Sequence, residues 1–72
     1  MLNKTELEIM MKRNGDTGGS LADYLDISRG TFSNKINEKG AEFTKREIEL
    51  IRDRYNLSGA DLVAIFFARG VS

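Results

Sequence analysis

The chain has no cysteine, histidine, proline or tryptophan. Without cysteine and histidine it can form no disulfide scaffold, thiol nucleophile or structural zinc site, and no catalytic triad that needs an imidazole. Without proline, no helix interior is broken by a locked ring and a missing N–H. There is also no excess of either charge, because eleven basic and eleven acidic side chains cancel. Long apolar runs are missing too: the longest is Leu62 to Ala68, far short of the ~20 residues that span a bilayer. Asn3, Lys4, Glu6 and Glu8 interrupt any apolar run near the first residue, so the expectation is a soluble, cytoplasmic protein with no membrane association. Seventy-two residues make one domain, 1–72, held together by side-chain packing with no metal and no cofactor.

The residues that are present punctuate the chain into helices. Thr5-Glu6-Leu7-Glu8 has the form of a capping box, and the helix after it is expected to run to about Asn14 and end at Gly15. Leu7, Met10 and Met11 fall within one stripe of that helix, with Ile9 pointing away. Thr44-Lys45-Arg46-Glu47 is a second capping box, followed by Ile48, Ile51 and Tyr55 on one face. Ser58 to Asp61 opens a last helix, expected to close at Gly70. The stretch between Thr17 and Gly40 divides at Asp26-Ile27-Ser28 into two short helices. Five helices with no strand alternation predict an all-α domain.

The two short helices carry the functional signal. Leu21 and Leu25 are four apart on the first, and Phe32 and Ile36 are four apart on the second, so each pair forms a buried ridge. Ala22 is small where two crossing helices must approach. Asp26 suits the left-handed backbone of the turn, and Ser28 is a natural N-cap. A short helix, a tight turn and a capped second helix fit the helix-turn-helix, whose second helix enters the major groove.

In these residues the chain resembles the phage Cro and repressor helix-turn-helix family, the lambda-repressor-like type. The resemblance is densest in Leu21-Ala22-x-x-Leu25-x-Ile27-Ser28, then Thr31-Phe32 and Lys35-Ile36-Asn37, within a motif at about 18–37. In length and layout the chain is similar to the modulators of repression of temperate lactococcal phages, which work together with a phage repressor. The resemblance implies a compact five-helix domain and a regulator of the lysis/lysogeny switch. It also implies that the outer face of the second motif helix touches DNA or a partner. On this sequence that face is Arg29, Gly30, Thr31, Ser33, Asn34 and Asn37, with Lys35 and Lys39 beside it as phosphate or partner contacts. Two positions depart from the family pattern. Gly18 stands where a glutamine is common, and Gly30 stands where a polar reading residue is common. The glycines at 18 and 19 predict a loose start to the first motif helix.

The charge map chooses between two function classes. From Asp16 to Glu42 there are five acids and three bases, whereas DNA binding draws its affinity from basic contacts that release counterions. Asp23, Asp26, Glu38 and Glu42 are therefore expected to form an acidic surface suited to the basic DNA-facing side of a repressor. This favours a modulator that binds a partner repressor protein and alters its DNA binding. The alternative is an autonomous Cro-like repressor on operator DNA, as a homo-dimer. Asp16-Thr17-Gly18 matches the aspartic-protease triplet, but a loop and helix cap explain it, and no enzyme activity is expected. On the last helix, Leu62, Val63, Ile65, Phe66 and Phe67 cover about twice the arc that a core-facing stripe needs. Val63, Phe66 and Phe67 are accordingly the candidate interface there.

Overall fold

A computed structural model describes residues 1–67, and every described element is an α-helix: α1 Lys4–Arg13, α2 Gly18–Leu25, α3 Arg29–Ile36, α4 Lys45–Tyr55 and α5 Gly59–Phe66. The all-α expectation is met, and three of the cap assignments are met in detail. Thr44 and Glu47 exchange both hydrogen bonds of a capping box, as do Ser58 and Asp61, and the Ser28 side chain accepts from the Thr31 N–H. Asp26 takes the left-handed backbone, at φ 61°, that turns α2 into α3.

Two starts differ from expectation. α1 begins at Lys4 because Asn3, not Thr5, is the N-cap. The Asn3 side chain accepts from Glu6 N–H while its own backbone N–H donates to the Ile65 carbonyl at 2.6 Å. That second bond ties the first helix to the last, and it is available at residue 3 and not at residue 5. The start of α2 is well capped and not loose: Thr17 and Ser20 form a reciprocal box that offsets the poor helix propensity of Gly18 and Gly19. At the other end of α1, Gly15 adopts φ 71°, which lets Asp16 N–H reach the Met11 carbonyl at 2.8 Å, where it joins the Asn14 N–H at 3.1 Å in closing the helix. The expected close of the last helix at Gly70 lies outside the described residues; α5 runs to Phe66.

The core collects one face of each helix. Leu7, Leu21, Leu25, Ile51 and Ile65 are its fully enclosed members, and Ala22 of α2, the helix that packs on α3, has no exposed surface. Met10 and Ile48 pack against this core from its edge, and Ile9 points outward as its helical position requires. The rings of Phe32, Phe43 and Phe66 meet edge to face in sequence, with centroids 5.8 and 6.0 Å apart. They join α3 to α5 through the segment before α4, an arrangement worth about 0.5–1.5 kcal/mol per pair beyond the burial itself. Among the described residues no helix is long and apolar enough to cross a membrane.

Candidate nucleic-acid or partner interface

α3 is the element around which the candidate residues gather. Phe32 and Ile36 anchor its inner side in the core, which turns Arg29, Gly30, Ser33, Asn34 and Asn37 to solvent. Thr31 is exposed as well, but its hydroxyl accepts from Ser28 Oγ at 2.9 Å and belongs to the helix cap. Asn37 is exposed and already occupied: Lys4 Nζ donates to its Oδ1 at 2.7 Å, and its own amide donates to the Ser33 carbonyl at 2.8 Å. Lys39 is exposed beyond the helix end.

Lys35 is not on that outer face. Its ammonium lies 2.6 and 2.8 Å from the two carboxylate oxygens of Glu47, with only 12% of the lysine side chain and 6% of the glutamate side chain exposed. Lys35 comes one residue before Ile36 and so leans toward α4, where the capping-box glutamate waits. Glu47 Oε1 also accepts from Thr44 N–H. Burial is the largest influence on this carboxyl and pushes its pKa up. The hydrogen bonds and charge of Lys35, with those of Thr44, outweigh it and hold the carboxyl below its ordinary range.

A second internal ion pair holds the other end of the motif. Asp16, whose side chain is 4% exposed, accepts from Arg54 Nε and Nη2, both at 2.7 Å, from Tyr55 Oη at 2.6 Å and from Ser20 Oγ at 2.7 Å. The Arg54 hydrogen bonds hold the Asp16 carboxyl far below the usual carboxylate range against the opposing effect of burial, with Tyr55 and Ser20 adding to the effect. Burial, then the bond to Asp16, raises the Tyr55 hydroxyl above its ordinary value. Arg54 also lies over the Tyr24 ring, 4.5 Å from its centroid. Asp16 therefore clasps α2 to α4, and the protease-like triplet is a structural corner.

These two pairs remove one acid and one base from the surface between residues 16 and 42. What remains is four carboxylates, Asp23, Asp26, Glu38 and Glu42, against Arg29 and Lys39. The negative balance survives, but it is not one patch. Asp23 and Asp26 stand at the end of α2, before α3 begins. Glu38 and Glu42 follow the end of α3, about 12 Å further along at 1.5 Å per residue. Glu38 itself sits at φ 53°, an uncommon backbone for a side chain of its size, and its carboxylate accepts from Leu2 N–H at 2.9 Å.

The interface residues expected on the last helix also divide. Phe66 is 7% exposed and part of the core, so it offers only a small edge of surface and no free ring. Val63 and Phe67, four positions apart, are 57% and 56% exposed. Phe67 and Phe66 line a groove with Leu2, Phe43 and Ile48, and Glu38 and Glu42 stand on the same groove. The sequence therefore signals the groove's parts without their union. Phe43 and Ile48 occupy the N′ and N4 positions that flank the Thr44 capping box as a hydrophobic staple, a local pattern visible in the sequence. Glu47 as Lys35's partner, Asp16 as a buried corner and Leu2 as a groove wall have no local signal. Compared with known protein families, curated proteins and solved structures, the chain matches none.

Proposed function

We propose that this protein is a regulator of a temperate-phage transcriptional switch that acts mainly by binding a partner repressor and altering its hold on DNA. The observation that carries the reading is the surface left after internal pairing. Lys35 is spent on Glu47, and the exposed outer face of α3 keeps Arg29 as its own cation, with the Lys4 ammonium held against Asn37 and carboxylates at both ends. Counterion release supplies much of the affinity of a DNA-binding domain and requires several exposed lysines or arginines. A polar α3 face bracketed by acids is instead complementary to a basic, DNA-facing protein surface, where matched charges speed encounter and exclude wrong partners. The reading assigns no catalytic role.

The second reading, an autonomous Cro-like repressor, is favoured by one feature. Arg29 and Asn34 are side-chain types able to make bidentate contacts with guanine and adenine from an exposed second motif helix. Fluorescence anisotropy with duplex DNA from the protein's own locus, the neighbouring repressor, and both together separates the two. The expected result is weak DNA binding alone with a shallow salt dependence, and direct binding to the repressor. Tight, sequence-specific duplex binding at physiological salt, lost in Arg29→Ala, would establish the Cro-like reading in its place.

A further inference from the structure

The outer face of α3 and the groove behind its C-terminal end are separate surfaces, and the groove has the chemistry of a docking site. Its floor is apolar: Leu2, Phe43, Ile48, Phe66 and the half-exposed ring of Phe67. Its volume, about 270 Å³, falls just below the ~300–1,000 Å³ of small-molecule pockets, so it suits one or two inserted side chains of another macromolecule. Among the described lining residues, Lys35 is the one cationic side chain and Glu47 already cancels its charge; Met1 also lines the groove and brings its α-ammonium, one positive charge against the two free carboxylates. Glu38 and Glu42 stand on the rim, and neither makes an ion pair with a described residue.

We infer that this groove docks an apolar segment flanked by lysine or arginine on a DNA-binding partner, the apolar side chains entering beside Phe67 and the cations meeting Glu38 and Glu42. The inference rests on the function proposed above and deepens it, because it moves the contact from the reading face of α3 to the far end of that helix. Charge decides the occupant. An apolar groove with two unneutralised carboxylates at its mouth repels an acidic segment and rewards a basic one. The backbone at Glu38 fits the same role. Glycine would hold φ 53° without cost, yet the position carries a carboxylate that the Leu2 N–H orients on the rim.

The variants follow from that geometry. Glu38→Gly removes the carboxylate while relaxing the left-handed backbone, so the fold survives. Phe67→Ser removes exposed apolar surface outside the core, and Glu42→Lys reverses an exposed charge. The probe is a synthetic amphipathic helix of leucine and lysine, with a leucine and glutamate helix of the same pattern as control, titrated into the intact protein and followed by NMR. The leucine–lysine helix is expected to shift resonances of Leu2, Phe43, Ile48 and Phe67, and the control to shift none. Phe67→Ser is expected to weaken binding by about tenfold, and Glu38→Gly or Glu42→Lys by about threefold with a flatter salt dependence. Shifts confined to α3, or equal binding of the two peptides, would overturn the inference. So would self-association that Phe67→Ser abolishes, which would make a second copy the occupant. Contacts between residues 68–72 and Phe43 in the free protein would assign the groove to the chain's own end, with the same consequence. The repressor supplies the separating arm. If it binds the wild type and all three variants equally, the groove is wrong while the functional reading stands. If it binds none while the leucine–lysine helix still fills the groove, the docking surface stands and the repressor is the wrong partner.

Discussion

The two ends of α3 use their charges in opposite ways. At the N-terminal end, Arg29 remains exposed and its guanidinium lies across the start of α2, so close that a Cβ on Gly19 would come within 2.8–2.9 Å of it. At the C-terminal end, Lys35 is drawn inward and neutralised by Glu47, and the exposed charges that remain are the carboxylates of Glu38 and Glu42 beside an apolar groove. One end of an eight-residue helix thus offers an exposed cation on a polar surface, and the other offers anions on an apolar one. A charge count along the sequence treats Arg29 and Lys35 alike. Their difference comes from which neighbouring helix each one leans toward, and that difference leaves a cationic polar surface at one end and an anionic apolar one at the other.

The largest expected effect tests the division of labour between the two rings at the apolar end. Phe66→Ala should cost about 3–5 kcal/mol, because it empties a core site packed against Phe43. A chain of this length has about 4–11 kcal/mol in total, so the variant should be near unfolding at room temperature. Phe67→Ala should cost less than about 1 kcal/mol, since over half of that side chain is already in water. Urea unfolding monitored by helical circular dichroism measures both. Equal losses would mean that the two rings share one core and that the groove has no free wall.

Next in size is the buried pair. Lys35→Met keeps the apolar stem and removes the ammonium, leaving the Glu47 carboxylate enclosed with only Thr44 as a partner. The expected loss is about 3 kcal/mol, the usual cost of stranding one member of a buried pair. Binding to duplex DNA, measured at a temperature where the variant is folded, should be unchanged. A stable Lys35→Met protein with weakened DNA binding would return Lys35 to the reading surface and erase the contrast between the ends.

Acid should expose the same pair from the other side. The folded pKa of Glu47 lies below its ordinary 4.5 and that of Asp16 below its ordinary 3.8, so each stabilises the fold above those values. That contribution is lost as the pH falls from about 4.5 downward through the folded values. Tyr55 has the opposite sign: its raised pKa stabilises the fold below its ordinary 10.0 and ceases to do so as the pH climbs above it. Urea midpoints should therefore be flat between these limits and fall outside them, with Asp16→Asn less stable at neutral pH and less sensitive to acid. A midpoint that is insensitive to pH from about 7 down to about 3 would contradict both pairings.

Helix boundaries were legible in the sequence because caps are local. Thr44 with Glu47, Ser58 with Asp61, Ser28 with Thr31 and the left-handed Asp26 each involve residues at most a few positions apart. Asn3 displaced Thr5 because its backbone N–H found a carbonyl on α5, a partner no local pattern contains. The same holds for the site. Lys35 and Glu47 are 12 residues apart, and Asp16 and Arg54 are 38 apart, so their pairing is decided by how helices pack and not by either segment's own pattern. The buried ridge of Phe32 and Ile36 followed from helical spacing, while the outer face of α3 came from the family resemblance, and Lys35 beside it turned inward. The groove did not, because Leu2, Phe43 and Phe67 come from three distant stretches, each with an innocuous apolar residue.

The smallest effect concerns the cationic end. Gly19 has helical backbone and no positive φ, so alanine suits the position and should add about 0.5–1 kcal/mol of helix propensity. The new methyl would meet the Arg29 guanidinium at 2.8–2.9 Å, closer than atoms can sit, but that group is the far end of a flexible side chain and can swing away. The gain should therefore survive as a rise in Tm of a few degrees, given about 4–8 °C per kcal/mol for a domain of this size. Swinging outward frees the guanidinium to meet a phosphate if the Cro-like reading holds. Gly19→Ala should then steepen the salt dependence of duplex binding by up to about 0.9 in log K against log salt, the contribution of one added phosphate contact. Adding Arg29→Ala should cancel the steeper slope but keep the higher Tm, which separates the charge effect from the propensity effect. A Gly19→Ala protein that is less stable than wild type would show that the arginine resting on α2 helps hold the motif together. The cation at this end of α3 would then be tied up inside the fold, just as Lys35 is at the other.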